Sequence, residues 1–300
     1  MNADDLTVIV TAGLVATACG LLGPFLVLRR QALMGDAVSH AVLPGIVATY
    51  LLFETRAPLP VILGAGFFAV VCVLGIDALR ATGLVAADAA IGLVFPALFA
   101  LGVLGVQRYA AGVHLDLDST IYGEIAFAPF RTWILGPVEI AQSVVVNGLV
   151  ALANLAFVVA VWKELKATSF DPEFSRTVRI SPALLGRLLL GMVAITAVTA
   201  FESVGAILVV TLLIVPAATA HLLTDRLVSL VAVTVAIGWV CAAAGYGGAL
   251  AVDASIAGTM GLVAGGLFAV ALVAAPQHGV LARARRRRAA ERAVAAPAPA

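Results

Sequence analysis

The chain has 300 residues, of which 62% are hydrophobic and 12% charged, with a net charge of +1 and a mean hydropathy of +1.10. Soluble domains hold about 45–50% apolar and about 25% charged residues, so these values exclude an ordinary soluble domain and point to a polytopic membrane protein. The net charge says nothing about partners, whereas the distribution of charge does; no nucleic-acid partner is expected.

Apolar runs predict nine spans at roughly 6–28, 33–53, 58–79, 84–106, 138–162, 184–200, 203–223, 227–244 and 255–275. The fold class read from them is all-α, a polytopic helical bundle, with eight spans if one run is re-entrant. The start, Met1-Asn2-Ala3-Asp4-Asp5, is acidic and lacks the positive n-region of a cleavable signal, so Leu6 to Leu28 reads as a retained first helix. The sixth run, 17 residues, is the shortest. Cys19, Cys72 and Cys241 lie far apart in apolar runs with no CxxC pair, as small buried hydrophobes do.

Lysine and arginine set the orientation. With the N-terminus outside, one side carries fifteen: Arg29, Arg30, Arg80, Lys163, Lys166, Arg176, Arg179, Arg187, Arg226, Arg283, Arg285 to Arg288 and Arg292. The other side carries three, Arg56, Arg108 and Arg131. An extracytoplasmic N-terminus and a cytoplasmic C-terminus follow, in agreement with an odd span number. Residues 1–282 read as one transmembrane domain, and 283–300 as a basic, then Ala/Pro-rich, disordered tail that touches lipid.

The second run contains the chain's most informative pair, Asp36 and His40. A charge near the centre of a membrane helix costs roughly 2.5–3.5 kcal/mol on insertion scales. Spacing of i and i+4 puts both on one helix face, and His40 lies about 10 Å inside the start of the run. Taken singly, Asp36 reads as a cap and His40 as a donor to a neighbouring carbonyl. Together, with Ser39 beside them and Pro44-Gly45 one turn on, they favour ligation of a first-row divalent cation. Two ligands hold a cation poorly, and the best third candidate is Glu124, in an apolar stretch of the long outer connection 107–137. His114, Asp116 and Asp118 of that connection could instead form a capture site. Glu202 and Asp253 border outward-facing ends and read as solvated ahead of ligating.

The inner connection, 163–183, contains Phe170-Asp171-Pro172-Glu173-Phe174. Asp171 can cap a short amphipathic helix, Pro172 suits its first position, and Glu173 favours the positive dipole end. Phe170 and Phe174 would then be exposed, either to dock a soluble partner or to seal the bundle floor. Asp77 reads as an i,i+3 partner of Arg80, His221 as facing the interface, and Gly261 with Gly265 as a close-packing pair. Pro44, Pro96 and Pro216 fall within spans and can bend them. There is no GxxxxGK followed by Ser or Thr, no HExxH, no GxSxG and no Gly-rich dinucleotide motif. ATP hydrolysis, if it drives transport, must come from another subunit.

Over nearly its whole length, and in the same order, the sequence resembles the permease subunit of bacterial ABC importers for zinc, manganese or iron, the ABC-3 transporter family. The residues that carry the resemblance are Leu28-Arg29-Arg30, Leu33-Met34-Gly35-Asp36-Ala37-Val38-Ser39-His40-Ala41-Val42-Leu43-Pro44-Gly45, Asp116-Leu117-Asp118 and Tyr122-Gly123-Glu124-Ile125. They continue through Glu164-Leu165-Lys166, Ser169-Phe170-Asp171-Pro172-Glu173, Ser203 to Val210, Leu212 to Ala220 and Ala275 to Leu281. The resemblance implies a type II importer-like permease in the bacterial plasma membrane, paired with a second permease subunit, most simply a copy of itself. An extracytoplasmic metal-binding protein and cytoplasmic ATP-binding cassette ATPases would complete it. It implies metal coordination by Asp36 and His40, with Glu124 as a further ligand, and ATPase coupling through Phe170 to Phe174. No permanent cofactor is implied; the transported ion is manganese or zinc, with iron less favoured. The alternative is a proton-coupled secondary metal transporter with Asp36 and His40 as a relay. Where members often have Ala and Gly, this chain has Ser175 and Arg179, and Asp253-Ala254-Ser255 lacks a Pro common after the Asp.

Overall fold

The computed structural model describes residues 3–53, 58–109, 125–135, 138–276 and 279–283. Five helices come first: α1 (Ala3–Leu28), α2 (Ala32–His40), α3 (Val42–Phe53), α4 (Pro58–Ala81) and α5 (Ala87–Tyr109). A 3-10 segment (Ile125–Phe130) and a hairpin of β1 (Thr132–Leu135) and β2 (Val138–Ala141) follow. Then come α6 (Gln142–Ala160), α7 (Trp162–Phe170), α8 (Pro172–Thr177), α9 (Pro182–Val204), α10 (Ala206–Leu223), α11 (Leu227–Val252) and α12 (Ile256–Ala274). Among the described residues, nine segments are long and apolar enough to cross a membrane, with α2 and α3 acting as one. That is the number expected from the apolar runs.

Several boundaries differ from expectation, the eighth span running on to Val252 rather than 244, and three of the differences have a local reason. The sixth span is 23 residues rather than 17, because Ser181 Oγ accepts the Leu184 amide and Pro182 occupies the first turn. Its far end runs through Glu202 and Ser203, which a hydropathy window discards. The fifth span starts only at Gln142, because Val138–Ala141 pairs antiparallel with Thr132–Leu135. The β-branched and aromatic residues Thr132, Trp133, Ile134, Val138 and Ile140 suit that pleated ladder. The second span is broken at Ala41, which separates α2 from α3.

The helices pack as two groups. In the first, α1 lies against α6, α10 and α11, while α12 packs on α10 and α11. In the second, α3, α4 and α5 pack on one another. Only α9 and the short α2 contact both groups substantially: α9 touches α1, α6 and α4, and α2 touches α9, α5, α4 and α10. Side-chain contacts join helix ends in keeping with the alternation of the spans. At one end Asp77 of α4 lies 3.8 Å from Arg187 of α9. At the other, Tyr246 of α11 donates to Asp5 of α1 at 2.6 Å.

In lipid, polar side chains must find partners within the protein. On α6, Asn147 and Asn154 are both buried. Asn147 Nδ2 donates to Ser143 O and Ser203 Oγ, both at 2.8 Å. Asn154 Nδ2 donates to Ala18 O at 3.0 Å and Thr196 Oγ1 at 2.8 Å. The two asparagines are seven residues apart, as are their α9 acceptors, so both helices present one polar seam through an apolar interface. Asn154 Oδ1 is buried without a partner.

Three helix ends carry non-glycine residues in the left-handed region: Arg30 (φ 56°), Arg179 (φ 62°) and Asp253 (φ 51°). After Arg30 the Gln31 amide donates back to Leu26 O at 2.8 Å, and after Asp253 the Ala254 amide donates to Ala249 O at 3.1 Å. Both closures satisfy terminal carbonyls. Between α9 and α10 stands a single residue, Gly205, at φ 81° and ψ 159°, a conformation essentially reserved for glycine.

Gly261 and Gly265 do not provide the close packing expected of them, since a Cβ at either meets nothing within 4 Å in this chain. Tight crossings lie elsewhere, as where α1 meets α10 at Gly23, where α11 meets α12 at Gly245, and where α3 and α4 meet at Gly45 and Gly64. A Cβ on Gly45 would collide with the Gly64 carbonyl and stand 2.6 Å from Ala65 Cα. Gly66, in the same α4, faces open space. Gly45→Ala is therefore expected to lose about 1–3 kcal/mol through overpacking, whereas Gly66→Ala holds or gains slightly from helix propensity. Thermal unfolding of the two detergent-solubilised variants checks the difference.

Candidate functional site

Helix α2 is nine residues long, and its composition gives it two unlike faces. Met34, Ala37, Val38 and the following Ala41 are buried in the core. A Cβ on Gly35 would press to 3.0 Å from Leu26, so glycine lets α2 lie close against α1. The other face carries Asp36 and His40, each about one-third exposed, with Asp36 Oδ1 and His40 Nε2 3.5 Å apart. That is too long for a good hydrogen bond. It is close to the separation of two ligands on one ion, since bonds of about 2.0–2.2 Å put adjacent donors about 3.0–3.4 Å apart. The Ser39 side chain lies outside what the structure describes.

The imidazole is held by aromatic walls. The His40 ring centroid lies 5.5 Å from that of Phe95 and 6.0 Å from that of Phe99, both on α5. The helix breaks immediately after it. Ala41 closes α2 by donating to Ala37 O at 3.0 Å, with φ −70° and ψ −6°. Pro44 has no N–H, so the His40 carbonyl loses its usual i+4 donor. This face thus presents a carboxylate and an imidazole beside a helix break.

Among the described residues no third His, Cys, Asp or Glu joins this pair as a metal-binding cluster. Glu124, the expected third ligand, lies outside the described residues, as do His114, Asp116 and Asp118. The chain directly after Glu124 is anchored in the bundle, because Ile125 is buried and its 3-10 segment packs on α1. The remaining acids have other roles. Glu202 Oε1 accepts from Arg131 at 2.9 Å in a largely exposed pair that contributes little stability. Asp253 closes α11. Asp77 reaches Arg187 on α9, an interhelical pairing beyond its local i,i+3 reading.

The connection after α6 folds as the cap sequence dictates. Asp171 Oδ1 accepts the Phe174 amide at 2.8 Å and Pro172 opens α8. Phe170 and Phe174 are more than half exposed on either side of this elbow. Ser175 is fully buried beneath it and donates to Asp171 O at 2.7 Å. The turn that ends α8 needs a left-handed residue, with the Ile180 amide donating to Ser175 O at 2.9 Å, and Arg179 occupies it. Glycine would sit there without strain.

Sequence reasoning missed the group that ties this elbow to the bundle. Arg29, just past the end of α1, donates through Nε to Ser169 Oγ at 3.0 Å and through Nη2 to Thr168 Oγ1 at 2.6 Å. Burial lowers its pKa from the ordinary arginine value, yet a guanidinium keeps its charge in such a site. The aromatic walls at Phe95 and Phe99 were also missed. Their i,i+4 spacing was visible, but nothing in one sequence says which helix faces His40.

The model of the ABC 3 transport family matches residues 6–275. The chain is 39% identical over 277 residues to the "Manganese transport system membrane protein MntD" of Bacillus subtilis, covering 92% of this chain and 94% of that one. It is 41% identical over 281 residues to the "Zinc transport system membrane protein TroD" of Treponema pallidum, covering 92% and 75%. Among solved structures it resembles a chain of PsaBC from Streptococcus pneumoniae in complex with Fab, with a TM-score of 0.78, 27% identity, and coverage of 93% and 94%.

The left-handed Arg179 sets a local prediction. Arg179→Gly should steady the α8 turn by about 1 kcal/mol, the usual cost of a left-handed non-glycine residue. Hydrogen exchange at the Ser175 to Ile180 amides should slow accordingly, and Arg179→Val should speed it.

Proposed function

The chain belongs to the ABC 3 transport family, and from that premise we infer that it is the permease of an ATP-driven importer, passing a divalent transition metal inward past Asp36 and His40. The observation that carries the reading is the i,i+4 carboxylate–imidazole pair, 3.5 Å apart and one-third exposed, on a short helix at the junction of two helix groups. Oxygen and nitrogen donors of this kind take Mn²⁺, Zn²⁺ and Fe²⁺ in an order set by the general divalent series. Relatives at 39% and 41% identity are named for manganese and zinc respectively, so these two ions rank ahead of iron.

Among the described residues the pair stands without a third His, Cys, Asp or Glu. Two side chains hold an ion weakly enough to let it leave. Glu124, and the matching residues of a second copy, would supply further donors when the path is closed. Because α2 touches both groups, a relative movement of those groups changes which donors reach the ion. The positive-inside distribution supports a cytoplasmic Arg29 end of the bundle, where the α7–α8 elbow would meet a separate ATP-binding cassette ATPase. The hairpin end then faces an extracytoplasmic metal-binding protein. This chain has no P-loop of its own.

Metal accumulation tests the site. At limiting manganese or zinc, cells carrying Asp36→Ala or His40→Ala should take up metal no faster than cells lacking the chain, with the protein still present in the membrane. Wild-type uptake in both variants would remove the proposed site. Wild-type uptake that survives loss of the partner ATPase but collapses with an uncoupler would favour a proton-coupled carrier instead.

A further inference from the structure

The corner between α1 and α2 is short and tied by backbone hydrogen bonds. Three residues, Arg29, Arg30 and Gln31, separate the two helices. Arg30 turns the chain at φ 56°, the Gln31 amide bonds back to Leu26 O, and the Met34 and Gly35 amides bond to Gln31 O. A displacement of this corner therefore reaches α2 without slack, and Asp36 lies on the second turn of that helix. The same corner is bound to the α7–α8 elbow across about 140 residues of sequence, through the fork of Arg29 on Thr168 and Ser169. Thr168 is in turn fixed to its own helix by donating to Glu164 O at 2.7 Å. From α9, Gly186 borders the guanidinium, and a Cβ there would stand in ordinary contact at 3.6 Å from Arg29 Nη1.

The chemistry of this contact suits a link that transmits movement. A planar guanidinium offers two donors in fixed directions, here to hydroxyls on successive residues, so it resists rotation as well as separation. A lysine in the same place would supply one point charge. The acceptors are neutral hydroxyls, and no carboxylate is among the Arg29 contacts described above.

We propose that Arg29 is a positioning residue that carries displacement of the α7–α8 elbow into α2, and so sets when the Asp36–His40 face changes its surroundings. This rests on the reading of that elbow as the ATPase contact. Arg29 itself touches neither metal nor nucleotide.

The test uses the complete complex of permease, ATPase and metal-binding protein in vesicles, with Mn²⁺ as the probe. Uptake and ATP hydrolysis are measured in the same preparation for Arg29→Ala, Arg29→Lys, the acceptor pair Thr168→Val with Ser169→Ala, and the combined variant. Expected for Arg29→Ala and for the acceptor pair are ATPase co-purification unchanged, hydrolysis within about twofold of wild type, and Mn²⁺ moved per ATP down by about tenfold or more. Arg29→Lys should recover part of that loss, and the combined variant should be no worse than either parent. A ratio of uptake to hydrolysis that stays at the wild-type value, including through a parallel fall of both, overturns the proposal. So does a combined loss equal to the product of the separate losses, which would mean the groups act independently. Wild-type vesicles in which uptake does not depend on hydrolysis would sink the importer reading itself, before any variant is compared.

Discussion

A carboxylate and an imidazole one turn apart within an apolar span are the constraint around which this bundle is organised. Neither can face lipid without a cost that the rest of the fold would have to offset. The chain meets this by giving α2 one wholly buried face and one polar face, and by ending the helix at Ala41. The polar face opens toward Phe95 and Phe99, whose rings limit where the imidazole can turn. The pair itself stays about one-third exposed on that side. The short length of α2, the break and the aromatic walls each answer the same requirement.

A second consequence concerns which parts are stiff. The seam of Asn147 and Asn154 with Ser203 and Thr196 joins α6 to α9, and Asn154 also binds the Ala18 carbonyl of α1. Such bonds average about 0.6 kcal/mol each in membranes, so they direct register more than they add stability. The α3–α4 crossing at Gly45 and Gly64 is backbone against backbone, which fixes that pair as a unit too. Between these rigid parts lies α2, held by small residues and by the tied corner at Arg29.

Much of this was legible in one sequence because lipid imposes simple rules. Among the described residues the nine apolar runs appear as nine segments long and apolar enough to cross a membrane, since a bilayer demands about twenty apolar residues per crossing. The Asp171-Pro172 start was legible because capping depends on neighbours only. What failed to show depends on distant parts of the chain. Gly261 and Gly265 have helix-packing spacing, but among the described residues nothing lies within 4 Å of a Cβ at either. Val138 to Ala141 continues an apolar run, and only its pairing with Thr132 to Leu135 makes it a strand. Arg29 looked like a span-flanking charge until Thr168 and Ser169 were found beside it. Arg179 shows the reverse case, where a departure from the family pattern became intelligible once its φ of 62° was known.

The junction of α9 and α10 has a mechanical meaning of its own. Two rods, each about 27–35 Å long, share a single glycine at one tip. That tip acts as a compass joint: the legs cannot slide past each other there, and any change in the angle between them is greatest at the opposite tips. Of these, the α9 tip sits beside Arg29 and carries Arg187, while the α10 tip carries His221. A small twist at Gly205 is therefore read out as a wide excursion on the far face of the bundle.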